Sequence, residues 1–205
     1  MNLINVNLNS KLKARSLFFI FSVLLVSGCA NKQAGEQVDL TLSQALESSQ
    51  LELQFQQGVE LVEQSRFDEA KIILETIHQA HPDVLGPILN LGFISTKQQD
   101  FEIGKSYYSK ALQLKPKHIG SMISLAYIAR EAGHFDEAEN YYRLVFEIEP
   151  NNLMALKNLG ILLDLYRGRF AEALALYERY QSLLTAPDPK IKDWIFDTKN
   201  RLKAE

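Results

Sequence analysis

Between residues 51 and 184, apolar side chains return at offsets of three and four, the spacing that gathers them on one face of a helix. Phe67, Phe101 and Phe135 each open such a stretch. A small residue follows three positions later (Ala70, Gly104, Ala138), then Leu74, Tyr108 or Tyr142, then Ile77, Ala111 or Val145. Nine residues ahead of each Phe lies another small residue, Gly58, Gly92 or Ala126, and Gly160 extends that series. The small residues and Pro82, Pro116 and Pro150 keep one interval of 34 residues. The pattern predicts a single unit used repeatedly: helix A, a tight turn, helix B, and a proline turn to the next unit.

Two small residues at matching places on helices A and B let the pair cross closely, and the larger apolar residues fill the space on either side. The prolines end each unit because they lack an amide donor and disfavour helix in the preceding residue. His81-Pro82, Lys115-Pro116 and Glu149-Pro150 are therefore read as turns between units. Ser65-Arg66, Gln99-Asp100 and Gly133-His134 are read as turns within them. Asp68-Glu69 and Asp136-Glu137 place acids in the first turn of helix B, where the helix dipole favours them.

The ends depart from the pattern. Gln54 and Gln57 replace the apolar pairs Ile88/Leu91 and Met122/Leu125, which suits a terminal unit with a solvated outer face. The fourth unit carries one extra residue in Leu165-Tyr166-Arg167-Gly168-Arg169, so Phe170, Ala173, Tyr177 and Tyr180 arrive one place late. Asp188 and Pro189 read as an N-cap and first helical residue. The helix they open, with Ile191, Trp194, Ile195 and Leu202 on one face, is expected to close the exposed end of the fourth unit.

In period and in the pairs Leu91-Gly92, Leu125-Ala126 and Leu159-Gly160, the chain resembles the tetratricopeptide repeat family. The resemblance implies an all-α, right-handed solenoid of about four helix-turn-helix repeats, over 51–84, 85–118, 119–152 and 153–187, with a C-terminal capping helix over 188–205. Such a solenoid presents an extended concave surface rather than a catalytic pocket.

Lys11, Lys13 and Arg15 precede an uncharged run from Ser16 to Val26, followed by Ser27-Gly28-Cys29. This is the order of a secretory signal peptide, here 1–28. Eleven helical residues reach only about 16 Å, against about 30 Å for a bilayer core. The site resembles the bacterial lipobox, which implies that Cys29, the one cysteine of the chain, is lipidated as the new N-terminus. Several acyl chains make such anchoring stable where one does not. Ala30, in place of an aspartate, implies sorting to the outer membrane with the domain facing the periplasm. Residues 29–40 are expected to form a polar tether, and Leu40, Leu42, Ala45 and Leu46 can begin an additional helix, placed over 41–50.

Residues 29–205 keep 19 of the 22 basic side chains and all 25 acidic ones, a net charge of −6. That argues against nucleic acid or anionic lipid as the main partner. His78 and His81 can share a helix face, but no Cys/His/Asp cluster joins them, so no metal site is expected. No glycine-rich phosphate loop, nucleophile elbow or metalloprotease helix occurs, so neither a cofactor nor a small-molecule substrate is expected.

In tetratricopeptide proteins the concave groove is lined by helix A. The matching places here are Phe55, Gln56 and Val59; Leu89, Asn90 and Phe93; Ile123, Ser124 and Tyr127; and Lys157, Asn158 and Ile161. Val62, Lys97, Arg130 and Asp164 lie further along the same helices. Phe55, Leu89, Phe93, Ile123, Tyr127 and Ile161 are expected to form an apolar strip, with Asn90 and Asn158 able to bond the backbone of an extended peptide. The lysine-asparagine carboxylate clamp of chaperone-binding relatives is absent from these places. The expected function is a non-enzymatic, lipid-anchored adaptor for an envelope machine. It resembles the pilotins of type IV pili and, second, the repeat proteins that accompany Ton/Tol energy transducers. The rival is a cell-wall-modifying envelope enzyme or its regulatory subunit, which would need titratable groups converging in the groove.

Overall fold

A computed structural model describes the backbone of residues 30–204 and side chains from Leu46 onward. The expected signal peptide, 1–28, and Cys29 lie outside the described residues. All regular structure among the described residues is helical. The helices are α1 (Ala30–Glu63), α2 (Phe67–Ala80), α3 (Leu85–Lys97), α4 (Phe101–Leu114), α5 (Ile119–Glu131), α6 (Phe135–Ile148), α7 (Leu153–Leu165), α8 (Phe170–Ser182) and α9 (Pro189–Leu202). They fall into two compact units, one up to Gln98 and one from Gln99 onward.

In the first unit, α1 differs from expectation. Residues 30–50 are neither a tether nor a separate helix but run unbroken into residues 51–63. The segment lacks proline and is rich in Gln, Glu, Ala and Leu, all good helix formers, against which the single Gly35 is a small cost. Its end at Glu63 is set by Ser65 at φ 60°, after which the Arg66 amide donates to the Leu61 carbonyl at 2.9 Å. That bond closes a left-handed helix terminus. Beyond the turn α2 returns against α1, burying Ala70, Leu74 and Ile77. A Cβ added at Gly58 would stand 3.1 Å from Leu74, so the crossing uses the bare backbone there. The ring of Phe55 likewise fills the space over Gly86 of α3, where a Cβ would meet it at 2.7 Å.

The second unit repeats these devices. Gly133, at φ 77°, ends α5 with the His134 amide donating to the Ala129 carbonyl at 2.8 Å. At the end of α7 the left-handed residue is Gly168, and the closing bond runs from the Arg169 amide to the Leu163 carbonyl at 2.9 Å. The return bond spans five residues in the earlier turns and six here. The extra residue of the fourth repeat is thus absorbed in the turn, and α8 opens on Phe170 with its buried face intact. Tyr142, Val145, Leu156, Leu159, Leu162 and Tyr177 pack one core. Gly160 sits directly under Tyr177, whose ring would be 2.5 Å from an added Cβ.

Between repeats, proline occupies the second position of a four-residue turn, the place its fixed φ suits. The Val84, His118 and Asn152 amides donate to the His81, Lys115 and Glu149 carbonyls at 3.1, 3.0 and 3.0 Å. His118 then caps α5 by accepting from the Ser121 amide, and Asn152 caps α7 by accepting from the Ala155 amide. His118 thus has a structural role at this cap. Burial first, and Lys115 second, lower its pKa and favour the neutral ring that can accept.

The last helix starts where Asp188 accepts from the Lys190 and Ile191 amides. Ile191 and Thr198 are buried, and the Trp194 ring lies 5.6 Å from that of Tyr177. Arg201 reaches back from α9 to the buried Asp164 of α7, Nη1 to Oδ1 2.7 Å. A second charged tie lies on helix B. The buried Glu139 of α6 takes Arg169 at 2.8 Å and also pairs with Arg143, and Arg169 in turn holds Glu172. Burial alone would raise the Glu139 pKa, but Arg143 and Arg169 together outweigh it and hold the carboxyl below its ordinary 4.5.

Two predictions follow from this packing. Gly160→Ala should cost about 1–3 kcal/mol through overpacking. Gly58→Ala should stay within about 1 kcal/mol of wild type, because Leu74 can yield and alanine favours helix by nearly as much. Urea unfolding of the two variants checks the contrast, and equal effects would contradict the crossing geometry. For Glu139 the folded pKa is lowered, so its contribution is complete above pH 4.5 and drains away as pH falls through the folded value. Glu139→Gln should therefore lose stability at neutral pH and show a shallower acid limb, measured by thermal melts between neutral and acidic pH.

Candidate partner-binding surface

The groove residues read from the sequence do not share one fate. Phe55, Val59, Leu89, Asn90 and Ile123 are buried, at 0–7 % exposure. They fill the space between neighbouring helices, as the Phe55 ring does over Gly86, and offer no open surface in this conformation. The Asn90 amide donates to the Gly86 carbonyl of its own helix at 3.0 Å, so that donor is not aimed at a peptide. Phe93, Lys157, Asn158 and Ile161 are half-buried, and Tyr127 is exposed. Half of the expected apolar strip, Phe55, Leu89 and Ile123, is thus core. Asp164, placed along the same face, is committed to Arg201.

What remains accessible is a set of aromatic rings and cations towards the C-terminal ends of the A helices. In the first unit, Phe93 of α3 meets Phe67 of α2 edge-on, with centroids 6.4 Å apart, and Lys97 lies 5.5 Å above the Phe93 ring. In the second unit, Tyr127 of α5 meets Phe101 of α4 in the same way at 6.4 Å. The Arg130 guanidinium lies 5.3 Å above Tyr127. Each pair joins the first residue of a helix B to a residue 26 positions later.

The third instance changes partner. Ile161 stands where the aromatic would be, and Phe135 packs instead on Tyr166, in the lengthened turn, at 5.0 Å. Tyr166 thereby comes within 6.0 Å of Arg130, which lies over two rings at once. Desolvation first, and Glu131 second, raise the Tyr127 pKa, against an opposing pull from Arg130, so the phenol stays neutral and can donate. Sequence reasoning placed Tyr127 on this face but passed over Tyr166 as part of an irregular turn. The 26-residue spacing of Phe to aromatic marks Phe93 and Tyr127, but it leads to Ile161 in the third instance and gives no signal for Tyr166.

Lys157 lies 5.9 Å over the buried Tyr180 ring and Lys190 5.1 Å over the half-buried Trp194, so other aromatics of this unit also carry a cation. Rings of this kind supply contact area at low entropy cost, and cations over them are worth about 0.5–2 kcal/mol depending on desolvation. The chemistry such a surface performs is binding. Among the described residues, no three His, Cys, Asp or Glu side chains gather as a metal site, and no helix is long and apolar enough to cross a membrane.

Residues 88–118 and 119–152 match the tetratricopeptide repeat model. With the repeated helix pairs described above, these residues carry tetratricopeptide repeats and the described helices have the tetratricopeptide solenoid fold, a scaffold for protein–protein interaction. Among solved structures, Pseudomonas aeruginosa pilF matches with a TM-score of 0.67 at 16% identity, over 77% of this chain and 71% of its own. MamA of AMB-1 matches with a TM-score of 0.62 at 20% identity, over 76% of this chain and 84% of its own. A tetratricopeptide repeat protein from Parabacteroides merdae matches with 0.64 at 17%, over 75% of this chain and 59% of its own. At these identities the likeness is one of fold. No curated protein matches the sequence.

Proposed function

We propose that this chain is a non-enzymatic adaptor of the bacterial envelope, anchored in the outer membrane through a lipidated Cys29 with its repeats in the periplasm. The observation that carries the adaptor reading is the recurring pair of half-exposed aromatic and overlying cation on a repeat scaffold. A surface of that kind binds protein. The basic and apolar segments before Val26-Ser27-Gly28-Cys29 support the anchor, and Ala30 supports the outer membrane.

The machine served is read as the type IV pilus and its secretin, with a Ton/Tol energy transducer second. The likeness in fold to Pseudomonas aeruginosa pilF supports the first of these. The partner is an envelope protein, and the net charge of −6 over residues 29–205 disfavours nucleic acid.

Cys29→Ser should move the protein from the outer-membrane fraction to the soluble periplasm and abolish palmitate labelling. Unchanged fractionation with no labelling of the wild type would contradict the anchor. Cofractionation of the wild type with the inner membrane would contradict the sorting argument from Ala30.

A further inference from the structure

Arg130 holds the most unusual position on the accessible surface. Its guanidinium lies over Tyr127 at 5.3 Å and Tyr166 at 6.0 Å, and its side chain is only 14% exposed. Yet among the described residues its one side-chain hydrogen bond runs from Nη2 to Glu131 Oε1, at 2.7 Å. Its Nε is buried without a partner, and so is the hydroxyl of the fully buried Tyr142. Burial raises the Tyr142 phenol far above its usual pKa. The next influences on it are Arg130, Glu131 and Tyr127, which places that hydroxyl beside the same group. The two flanking tyrosines stay 36% and 46% exposed, and Leu165 next to them 63%.

A guanidinium lying over aromatic rings keeps its donors along its edge, and edge donors fit a carboxylate with two parallel bonds. Glu131 supplies only a provisional carboxylate. It is the adjacent residue and it engages one nitrogen, which leaves the other guanidinium donors without a carboxylate. We propose that Arg130 anchors an Asp or Glu side chain within an extended segment of a partner protein. The incoming carboxylate displaces Glu131, while the apolar residues on either side of it lie on Tyr127 and on Tyr166 with Leu165.

Arg130 lies over two rings that both stay exposed, Tyr127 and Tyr166, which gives a segment apolar contacts beyond the carboxylate and suits one passing through rather than one that ends there. The nearby Arg167 is occupied by Asp136 at 2.8 Å, so one acidic side chain is taken rather than a cluster. This inference rests on the adaptor reading and specifies what that surface selects.

The test is selection of random peptide segments, displayed with both ends tied into a carrier loop, on the full-length protein in detergent. Recovered segments should favour Asp or Glu between apolar residues by roughly tenfold, equivalent to about 1.4 kcal/mol. The preference should vanish on Arg130→Gln and persist, weakened, on Arg130→Lys. Glu131→Gln removes the competing carboxylate and should strengthen recovery of acidic segments by about threefold; it also provides a variant that leaves Arg130 and the core untouched.

Apolar segments without acidic preference, or a preference that survives Arg130→Gln, overturn the carboxylate anchor and leave the adaptor reading standing. Recovery only from a library with free C-termini overturns the internal segment in favour of a chain end. No recovery from either library overturns both readings.

Discussion

At Gly160 the ring of Tyr177 lies so close to the backbone that even a methyl group would meet it at 2.5 Å. Gly58 and Leu74 make the looser version of the same contact, at 3.1 Å. This close crossing of helix A and helix B is the constraint from which the rest of the architecture follows. Once two helices are held together there, their remaining apolar faces must be covered by the next helix, which is what a repeat does. The left-handed residues at 65, 99, 133 and 168 and the proline turns deliver each helix at the angle the crossing requires. Asp164 and Arg201 fasten the capping helix over the last crossing, where no further repeat follows among the described residues.

The same constraint decides which residues are left for a partner. A side chain in the middle of helix A faces its neighbouring A helix, so Phe55, Leu89 and Ile123 are consumed as core. Only towards the helix ends, where the turns splay outward, do Phe93, Tyr127 and Tyr166 keep part of their rings in solvent. The interaction surface is therefore a consequence of packing. The lengthened turn of the fourth repeat has a functional reading in these terms. By adding one residue before Arg169 it brings Tyr166 onto Phe135 and over Arg130, which no regular repeat would do.

Much of this was legible in the chain itself. The interval of 34 located the crossings and turns, because each depends on one small or φ-restricting residue with a strong local preference. The N-cap Asp188 with Pro189 was equally local. Other features depend on what a residue meets, which a single sequence does not state. The length of α1 was hidden because polar composition was read as loop, although no proline interrupts it. The burial of Phe55 depends on Gly86, thirty-one residues away, and the commitment of Asp164 depends on Arg201, thirty-seven away. Periodicity marked Leu89 and Ile123 as sharing a face, but a face towards solvent and a face towards the next A helix have the same period.

The central claim is that a partner engages the aromatic and cationic ends of the A helices. Site-specific photocrosslinking in living cells tests it most directly, with the photoreactive residue placed at Tyr127, at Tyr166, or at Leu144 on α6, which is 41% exposed. The account predicts a discrete crosslinked envelope protein from Tyr127 and Tyr166, and only background from Leu144. Crosslinking as strong from Leu144, or none from either tyrosine, would contradict it.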